Sequence, residues 1–431
     1  MTPFSVQGWS AEDVANPYPI YRRYRVADPV HQAAPGTWYV FGYDHVAQTL
    51  SSRDFGRNVP AHLPARTDPA RTDPARTDAL RRSVENWLVF LDPPRHTRLR
   101  HLLAAEFSPK VVADLRPRIA EIARDLLRDV SDRREVDLVK DFAAPLPILV
   151  ISELLGVPAS LRNWFRERAE WLQQASSARS ARNVDAFAKA ETAAGELTEY
   201  FGEEVHRRKQ PRSDLISLLT HADGLTADEI TATCVHLLTA GHETTTNLLG
   251  KAVLALIAHP ELLARLRADP GLMPAAVEEL IRYDPPVQMV TRWATSAALL
   301  GGREIHSGDK VTLVLGSANR DPDRFPDPDE LRLYRDTARH CGFGLGIHYC
   351  LGAQLARAEA EIALSALLDV VPGRAVSGVR YGDDMVFHGP VRLMLTAGSV
   401  GAELDVVGQL DPGADVELAK HLAQVKRDGV T

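Results

Sequence analysis

The sequence predicts a mainly α-helical protein, in which a single large domain includes a small β-rich region. Apolar residues recur at three- and four-residue spacing over long stretches, and strand patterns are few and short. No linker rich in proline, glycine or serine divides the chain, although 431 residues would suffice for about two or three domains. We therefore expect one domain over residues 1–397 and a C-terminal extension over residues 398–431.

The helices are predicted from amphipathic patterns and from their end signals. The clearest is a long helix that begins after Thr226, which forms a capping box with Glu229. Pro260 ends this helix, and its middle part is apolar on nearly every face, which indicates burial. The predicted helices span residues 115–130, 228–259 and 274–283, with a fourth after Gly352, and the predicted strands span residues 38–41, 310–315 and 391–395.

The composition excludes several classes of protein. With 45% hydrophobic and 25% charged residues, the chain is not disordered. Its 50 basic and 57 acidic side chains give a net charge of −7, so there is no basic excess for binding nucleic acid. The first residues lack the pattern of a signal peptide, and no run of about 18 apolar residues predicts a membrane span. We expect a cytoplasmic protein without membrane contact.

Two segments do not fit the pattern of the domain. Residues 64–78 contain Pro-Ala-Arg-Thr-Asp three times, a repeat too short for a solenoid unit. Its Arg66, Arg71 and Arg76 are either solvated loop charges or partners of an anionic substrate. The extension over residues 398–431 is acidic and ends in a short helical pattern.

Three cysteines are too few for a disulfide framework. Cys234 and Cys341 are interpreted as small hydrophobic residues. Cys350 differs because a loop turns into a helix around it, and N–H groups and the dipole at a helix start favour thiolate over thiol. The loop is the run Phe343-Gly344-Leu345-Gly346-Ile347-His348-Tyr349-Cys350-Leu351-Gly352.

A thiolate held in this way is a strong, electron-donating metal ligand. The glycines of the run would let the backbone approach a flat, bulky group without contact from a Cβ atom, so a haem iron fits. One alternative is a buried structural cysteine, and another is a zinc site with the neighbouring His340, Cys341 and His348. Zinc is disfavoured because structural ligand pairs usually have about two to four residues between them.

The ten-residue run closely resembles the signature of the cytochrome P-450 superfamily. The resemblance implies the triangular, mainly helical fold of that family, with haem b as the cofactor. It also implies that Cys350 is the proximal iron ligand and that Phe343, Gly344, His348 and Gly352 belong to the haem-binding loop. A thiolate ligand pushes electron density through the iron and promotes cleavage of the O–O bond.

A second motif, Ala240-Gly241-His242-Glu243-Thr244-Thr245-Thr246, lies within the long buried helix. An acid and three threonines are costly to bury, although threonine hydroxyls can also bond to helix carbonyls and merely bend the helix. The resemblance places Ala240 and Gly241 beside the haem, where Gly241 opens room for dioxygen. It assigns Glu243 to a proton relay and Thr244 to a hydrogen bond with the distal oxygen.

Charged residues elsewhere in the chain extend the resemblance. His96 and Arg100 lie one helical turn apart, and with Arg292 and His348 they match family positions that neutralise the haem propionates.

A further charged pair, Glu279 and Arg282, is a weak signal alone, because such pairs are common on helix surfaces. In the family the corresponding pair is buried and fixes the proximal loop, with a later arginine, here Arg335, as the third member. These three residues are expected to be structural.

Residues 16–24, 84–94 and 384–390 resemble the bacterial enzymes that build indolocarbazoles in the staurosporine and rebeccamycin pathways, and the similarity spans roughly residues 8–396. It implies aryl–aryl coupling and oxidative decarboxylation of chromopyrrolic acid, a pyrrole dicarboxylate that bears two indoles. The alternative is a hydroxylating monooxygenase acting on another aromatic or polycyclic secondary metabolite. His242 either contacts the substrate or packs among helices. A haem sensor would not need the Glu243–Thr244 relay.

No flavin or iron–sulfur module is recognisable in the sequence. Electrons are therefore expected from separate partners, a ferredoxin and a ferredoxin reductase. An acidic ferredoxin would be attracted to the basic residues Arg95, Arg98 and Arg339.

Overall fold

A computed structural model describes residues 2–58, 78–176, 184–382 and 384–397. The predicted extension over residues 398–431 lies outside these ranges, as do residues 64–77 of the repeat with Arg66, Arg71 and Arg76. The helices are α1 (Ala11–Ala15), α2 (Tyr18–Ala27), α3 (Tyr43–Ser51), α4 (Asp78–Val84), α5 (Arg95–Ala104), α6 (Pro109–Ser131), α7 (Pro145–Leu155), α8 (Arg162–Ser176), α9 (Val184–Arg207), α10 (Leu215–His221), α11 (Ala227–Ala258), α12 (Pro260–Ala268), α13 (Met273–Tyr283), α14 (Leu315–Ala318) and α15 (Ala353–Leu367).

The strands form a small β-rich region. They are β1 (Val30–Ala34), β2 (Thr37–Val40), β3 (Phe55–Gly56), β4 (Glu135–Asp137), β5 (Met289–Ala294), β6 (Ala298–Leu300), β7 (Arg303–Ile305), β8 (Lys310–Val314), β9 (Arg374–Tyr381) and β10 (Pro390–Ala397). Five of them form a sheet in the order β1-β2-β8-β5-β3, in which only β2 and β8 are parallel. The described residues also contain a β4-β10-β9 sheet and a β6-β7 pair. The predicted fold class, mainly helical with little sheet, is confirmed.

The end signals of the long helix act as predicted. The Glu229 N–H donates to the Thr226 hydroxyl at 3.1 Å, and the Thr226 N–H donates to the Glu229 carboxylate at 3.1 Å. At the other end His259 is the C-cap, and Pro260 begins α12. The helix over residues 227–258 is therefore delimited by its own sequence.

α11 is the centre of the helical core. It packs against α7, α8, α9 and α15, and its apolar residues, among them Val235, Leu238 and Leu249, are fully buried. A helix buried on most of its faces needs few polar residues, so the ones it carries stand out.

No single helix in the described ranges is long and apolar enough by itself to cross a membrane. One pair, α11 with α12, meets the length and composition criterion together, with a bend of 103° between its two helices.

Candidate active site

The cysteine loop joins two short 3₁₀ turns, Cys341–Phe343 and Gly346–His348, to the start of α15. The Cys350 N–H donates to the Phe343 carbonyl at 2.9 Å, which closes the loop on itself. The Gly352 N–H donates to the Cys350 sulfur. A backbone N–H group at the helix start therefore contacts the sulfur, as the sequence predicts.

The glycines of this loop have two different roles. A Cβ atom on Gly352 would meet no atom within 4 Å, and one on Gly344 would find only the His348 carbonyl oxygen, at 3.9 Å. Both glycines therefore border open space, as expected for a cradle around a flat group. Gly346 does not: its φ is +71°, and a Cβ there would lie 2.3 Å from the Leu50 carbonyl oxygen. Its smallness serves the contact with the end of α3.

The Cys350 side chain is accessible, although the protein atoms around it desolvate the thiol and raise its pKa above the ordinary value. From an accessible side chain enclosed in this way we infer an internal cavity on this side of the loop. The Gly352 N–H and the charges of Arg100 and Arg357 oppose the rise without cancelling it. The N–H group at the helix start therefore favours the thiolate as predicted, while desolvation opposes it and is the larger effect. A coordinated metal ion would remove the proton.

Four predicted cationic residues meet in this region. The rings of His96 and His348 lie 4.3 Å apart between centroids, and Arg100 Nη2 donates to the Tyr349 carbonyl at 2.7 Å. Burial, with the neighbouring charges of Arg292, His96 and Arg100 among the causes, lowers the pKa of His348 to about 2. The structure thus brings His96, Arg100, Arg292 and His348 together.

Arg57 joins this cluster and was missed in the sequence. It follows β3, and its charge contributes to the lowered pKa values of both Arg292 and His348. No family motif marks the residue, and neighbouring positions in the sequence give no signal for it. Only the pairing of β3 with β5, which carries Arg292, brings it here.

The cluster fits a cofactor that carries carboxylates. In the described part of the chain, no carboxylate forms a salt bridge with Arg57, Arg100 or Arg292, and the charge of Asp92 compensates Arg57 and Arg292 only in part. His96 is 2% exposed, and its Nε2 has no hydrogen-bond partner. Buried cations and an unpartnered ring nitrogen call for an anion. Haem presents two propionates at one edge and an iron for Cys350, so the residues present suit it.

The zinc alternative fails on geometry. His340 is already engaged, because its Nδ1 accepts the Gly342 N–H at 3.0 Å and its Nε2 lies 3.2 Å from Glu278. Among the described residues, no three side chains of the metal-binding types are grouped around one point.

One stripe of α11, the distal helix, is accessible within the fold. Ala240 is exposed and Thr244 is half-exposed in a helix that is otherwise largely buried. The Thr244 hydroxyl donates to the Ala240 carbonyl at 2.8 Å, so the back-bonding considered for the sequence does occur. The nearest atom to a Cβ on Gly241 would be Ile151 Cδ1, at 3.9 Å, which leaves space beside this turn.

Glu243 is an acid that holds its proton strongly. Burial first, and then the charges of Asp384 and Glu170, raise its pKa well above the ordinary value, while a hydrogen bond with Asn247 opposes the rise. Asp384 itself has a pKa raised to about 6, mainly by burial. Sequence analysis did not single out Asp384 or Glu170, which reach Glu243 from other elements of the fold.

His242 points elsewhere. At about 100° per residue it lies some 200° around the helix from Ala240, on the side where Thr246 donates to the Ala143 carbonyl at 3.2 Å. It is 4% exposed, its Nε2 has no partner, and burial lowers its pKa to about 4. The structure does not bring His242 to the face of Ala240 and Thr244, and its contact with substrate stays a prediction.

The predicted structural trio is assembled and buried. Glu279 accepts hydrogen bonds from Arg282 at 2.7 and 2.8 Å and from Arg335 at 3.1 Å. Arg282 also donates to the Asn319 carbonyl at 2.9 Å, and the Asn319 side chain accepts the Cys341 N–H at 2.6 Å. The trio therefore fixes α13 to the segment that leads into the cysteine loop.

The predicted docking arginines are partly neutralised. Arg98 forms a salt bridge with Glu229, and Arg95 lies 3.8 Å from the same carboxylate. Arg339 has a φ of +64°, and its carbonyl accepts the Tyr43 hydroxyl at 2.9 Å. One carboxylate shared by two guanidinium groups leaves a smaller positive field than the sequence indicates.

A mainly helical fold with an accessible cysteine loop, a cationic cluster beside it and an acid in the long helix is typical of a haem-binding oxidoreductase. Comparison with known proteins gives the family. Residues 37–270 and 271–370 match Cytochrome P450. The chain is 40% identical over 382 residues to the cytochrome P450 monooxygenase PikC of Streptomyces venezuelae, covering 84% of this chain and 85% of PikC. The chain belongs to the cytochrome P450 family.

Solved structures agree with this assignment. P450BioI, in complex with an acyl carrier protein, has a TM-score of 0.83 at 35% identity and covers 90% of this chain and 100% of its own. CxnD, a cytochrome P450 enzyme for C–S bond formation in chuangxinmycin biosynthesis, has a TM-score of 0.78 at 33% identity, with coverages of 90% and 96%. The predicted fold, the haem b cofactor and the monooxygenase class are thereby confirmed.

Proposed function

We propose that Cys350 binds the haem iron of this P450 and that Phe343, Gly344 and Gly352 form the cradle beneath the ring. His96, Arg100, Arg292 and His348 would pair with its propionates. The observation that carries this proposal is the cationic cluster without carboxylate partners beside the cavity that Cys350 faces. Bound haem supplies dioxygen activation and one-electron oxidation of the substrate.

The chain's own residues supply the protons. Glu243 holds a proton on its carboxyl group because burial and two neighbouring acids disfavour the charged form. The Thr244 hydroxyl, one residue further, borders the cavity where Ala240 and Gly241 leave room. Rotation of this hydroxyl away from the Ala240 carbonyl frees its proton for a hydrogen bond with the reacting oxygen. Glu243 replaces the proton that leaves.

As the reaction we propose oxidative coupling of chromopyrrolic acid to an indolocarbazole core. Residues 16–24, 84–94 and 384–390 resemble enzymes of that pathway, and CxnD, whose structure is similar, is a cytochrome P450 enzyme for C–S bond formation. An electron-rich indole can lose an electron and couple to its neighbour without insertion of oxygen. His242 would contact the substrate only if its side chain left its present packing.

The second candidate is hydroxylation of another aromatic or polycyclic secondary metabolite. It is favoured by the similarity to the cytochrome P450 monooxygenase PikC, which is 40% identical to this chain. Hydroxylation would use the same Cys350, Glu243 and Thr244, so the site itself does not separate the two reactions.

One incubation separates them. The haem-loaded protein is mixed with chromopyrrolic acid, a surrogate ferredoxin, its reductase and ¹⁸O₂, and products are weighed by mass spectrometry. Coupling predicts loss of hydrogen and of carbon dioxide, with no ¹⁸O at the new aryl–aryl bond. A product that keeps both carboxyl groups and gains one ¹⁸O atom supports hydroxylation. Absence of both a substrate-induced spectral shift and a product would contradict coupling.

We propose a ferredoxin with its reductase as the electron donor. If an acidic ferredoxin docks near Arg95 and Arg98, Glu229→Gln should speed reduction at low salt, because it frees both guanidinium groups from their shared carboxylate. Glu361→Gln, which frees Arg116 on α6, is the control. A rate that salt does not lower, or equal effects of both variants, would contradict docking there.

A further inference from the structure

Arg57 is held beside Arg292 by a shared acceptor. Nη1 of each arginine donates to the Thr291 carbonyl, for Arg292 at 3.1 Å. Two guanidinium groups that meet at one carbonyl oxygen repel each other, and burial strengthens the repulsion. Asp92 forms no ion pair with either guanidinium group, since its carboxylate accepts the backbone N–H groups of Arg57 and Asn58. Its charge favours the charged form of both arginines but leaves their pKa values below the ordinary one.

The other bonds of Arg57 orient its free edge. Its Nε donates to the Val89 carbonyl at 2.7 Å, and its Nη2 has no acceptor among the described residues. His96, whose Nε2 also lacks a partner, belongs to the same cluster. Arg57 Nη2 and His96 Nε2 are therefore both available to bind an anion.

Arg57 is also the first member of a stack of flat groups that ends on the distal helix. Its Cζ lies 5.1 Å from the centre of the Phe90 ring. Phe90 is stacked on Trp87 at 6.1 Å and 15°, and Trp87 is stacked on His236 at 5.1 Å and 18°. His236 lies one turn before Ala240 in α11. The turn Leu88–Phe90 is thus held between the cationic cluster and the helix that lines the cavity.

We propose that Arg57 is a further cofactor-binding residue, which pairs with a haem propionate beside Arg292 and thereby fixes the turn Leu88–Phe90 against the distal helix. This inference rests on the proposed haem site. A propionate would neutralise the repulsion between the two arginines and would use the free Nη2. A guanidinium group held by the cofactor would then keep both the Val89 carbonyl and the Phe90 ring in place.

The test compares holoenzyme variants by the rate of haem transfer to excess apomyoglobin. Arg57→Gln should speed haem release about tenfold or more, because a charge-assisted pair is lost. Arg57→Lys keeps the charge and should release haem more slowly than Arg57→Gln. Arg25→Gln is the matched control, because Arg25 is also a partly buried arginine that donates to a backbone carbonyl, that of Ser317 at 3.0 Å.

Hydrogen exchange of the turn provides a second readout on the same holoenzymes. Arg57→Gln should raise exchange in residues 87–91, and Arg57→Lys should do so too, because lysine lacks the flat fork that meets Val89 and Phe90. Phe90→Leu should raise exchange there while leaving haem release within about twofold of the wild type. This separates the effect of the charge from the effect of the turn.

The inference is overturned if Arg57→Gln releases haem within twofold of the wild type, or if Phe90→Leu releases it as fast as Arg57→Gln. If the wild-type protein carries haem with a thiolate ligand, either result leaves the proposed function intact and removes only the role of Arg57. Wild-type protein without a haem-thiolate spectrum would instead contradict the proposed function itself.

Discussion

The buried carboxylate of Glu279 should be among the most costly to neutralise in this protein. Glu279 is 1% exposed and Arg282 is completely buried, and Glu279 accepts four hydrogen bonds, from Arg282, Arg335 and the Arg332 N–H. Glu279→Gln keeps the shape of the side chain but turns an amide toward two guanidinium groups. Breaking one partner of a buried pair costs about 3–5 kcal/mol, because the remaining charge stays buried without compensation.

The assay is urea unfolding of the haem-loaded protein, followed by tryptophan fluorescence and by haem absorbance. With a slope of about 3 kcal/mol/M, a loss of about 3 kcal/mol lowers the midpoint by about 1 M. Glu361→Gln is the matched control, because the Arg116–Glu361 pair is 2.8 Å long but its side chains are 44% and 18% exposed. Such an exposed pair contributes about 1 kcal/mol or less.

The effect should extend to the cysteine loop. Arg282 holds the Asn319 backbone, and the Asn319 side chain holds the Cys341 N–H, so the haem absorbance should change at lower urea than the fluorescence in Glu279→Gln. A midpoint shift no larger than that of Glu361→Gln would refute the reasoning that burial makes this pair costly to break.

Three other substitutions test separate parts of the account. Thr244→Ala should lower the product formed per electron pair about tenfold or more, because the relay loses its hydroxyl. The control Thr239→Ala removes another helix-bonded hydroxyl and should not lower this yield. An equal yield per electron pair in both variants would tell against the relay. Gly346→Ala should lower the free energy of unfolding in urea by about 2 kcal/mol or more, because φ is +71° and the new Cβ would clash with the Leu50 carbonyl oxygen. The control Gly195→Ala, at an open position of α9, should be neutral or stabilising. Equal unfolding midpoints of the two variants would contradict the close contact. Burial raises the pKa of Glu359 to about 8, so between its ordinary pKa and pH 8 the unfolded chain binds fewer protons than the native one, and stability falls as the pH rises. Glu359→Gln should remove that fall and be the more stable protein at pH 8, and parallel pH slopes for the two proteins would refute the assignment.

The parts of the fold predicted from the sequence are those whose signals are local. α11 was delimited by Thr226, Glu229 and Pro260, all within or beside the helix. β9 was not predicted, because its alternation is weak and its stability comes from pairing with β10, the strand that was predicted. Strands of this kind depend on cross-strand contacts, which no short window of sequence contains.

In the candidate site, too, residues in local motifs were predicted and residues brought in by tertiary contacts were not. The cysteine loop and the acid–alcohol pair are continuous motifs and were found in the sequence. Arg57 and Asp384 reach the site only through tertiary pairing, so neither had a local signal. The effect of the helix start on the Cys350 thiol was predicted from the loop, but the opposing desolvation was not, because it depends on everything packed around the sulfur.

The surface charge near α5 could not be predicted from the sequence alone. Glu229 belongs to the capping box of α11, yet it pairs with Arg98 from α5 across more than a hundred residues of sequence. Counting basic residues in the α5 region therefore overstates the positive field offered to an electron donor. Surface charge is a property of the folded arrangement.

The central claim is that Cys350, alone among the three cysteines, binds the haem iron. The most direct measurement is the carbon-monoxide difference spectrum of freshly reduced protein, which has a strongly red-shifted band when the iron carries a thiolate ligand. The account predicts this band in the wild type and in Cys234→Ala, whose thiol is fully buried in the helical core, and its loss in Cys350→Ala. A band that persists in Cys350→Ala, or that is absent from haem-loaded wild-type protein, would contradict it.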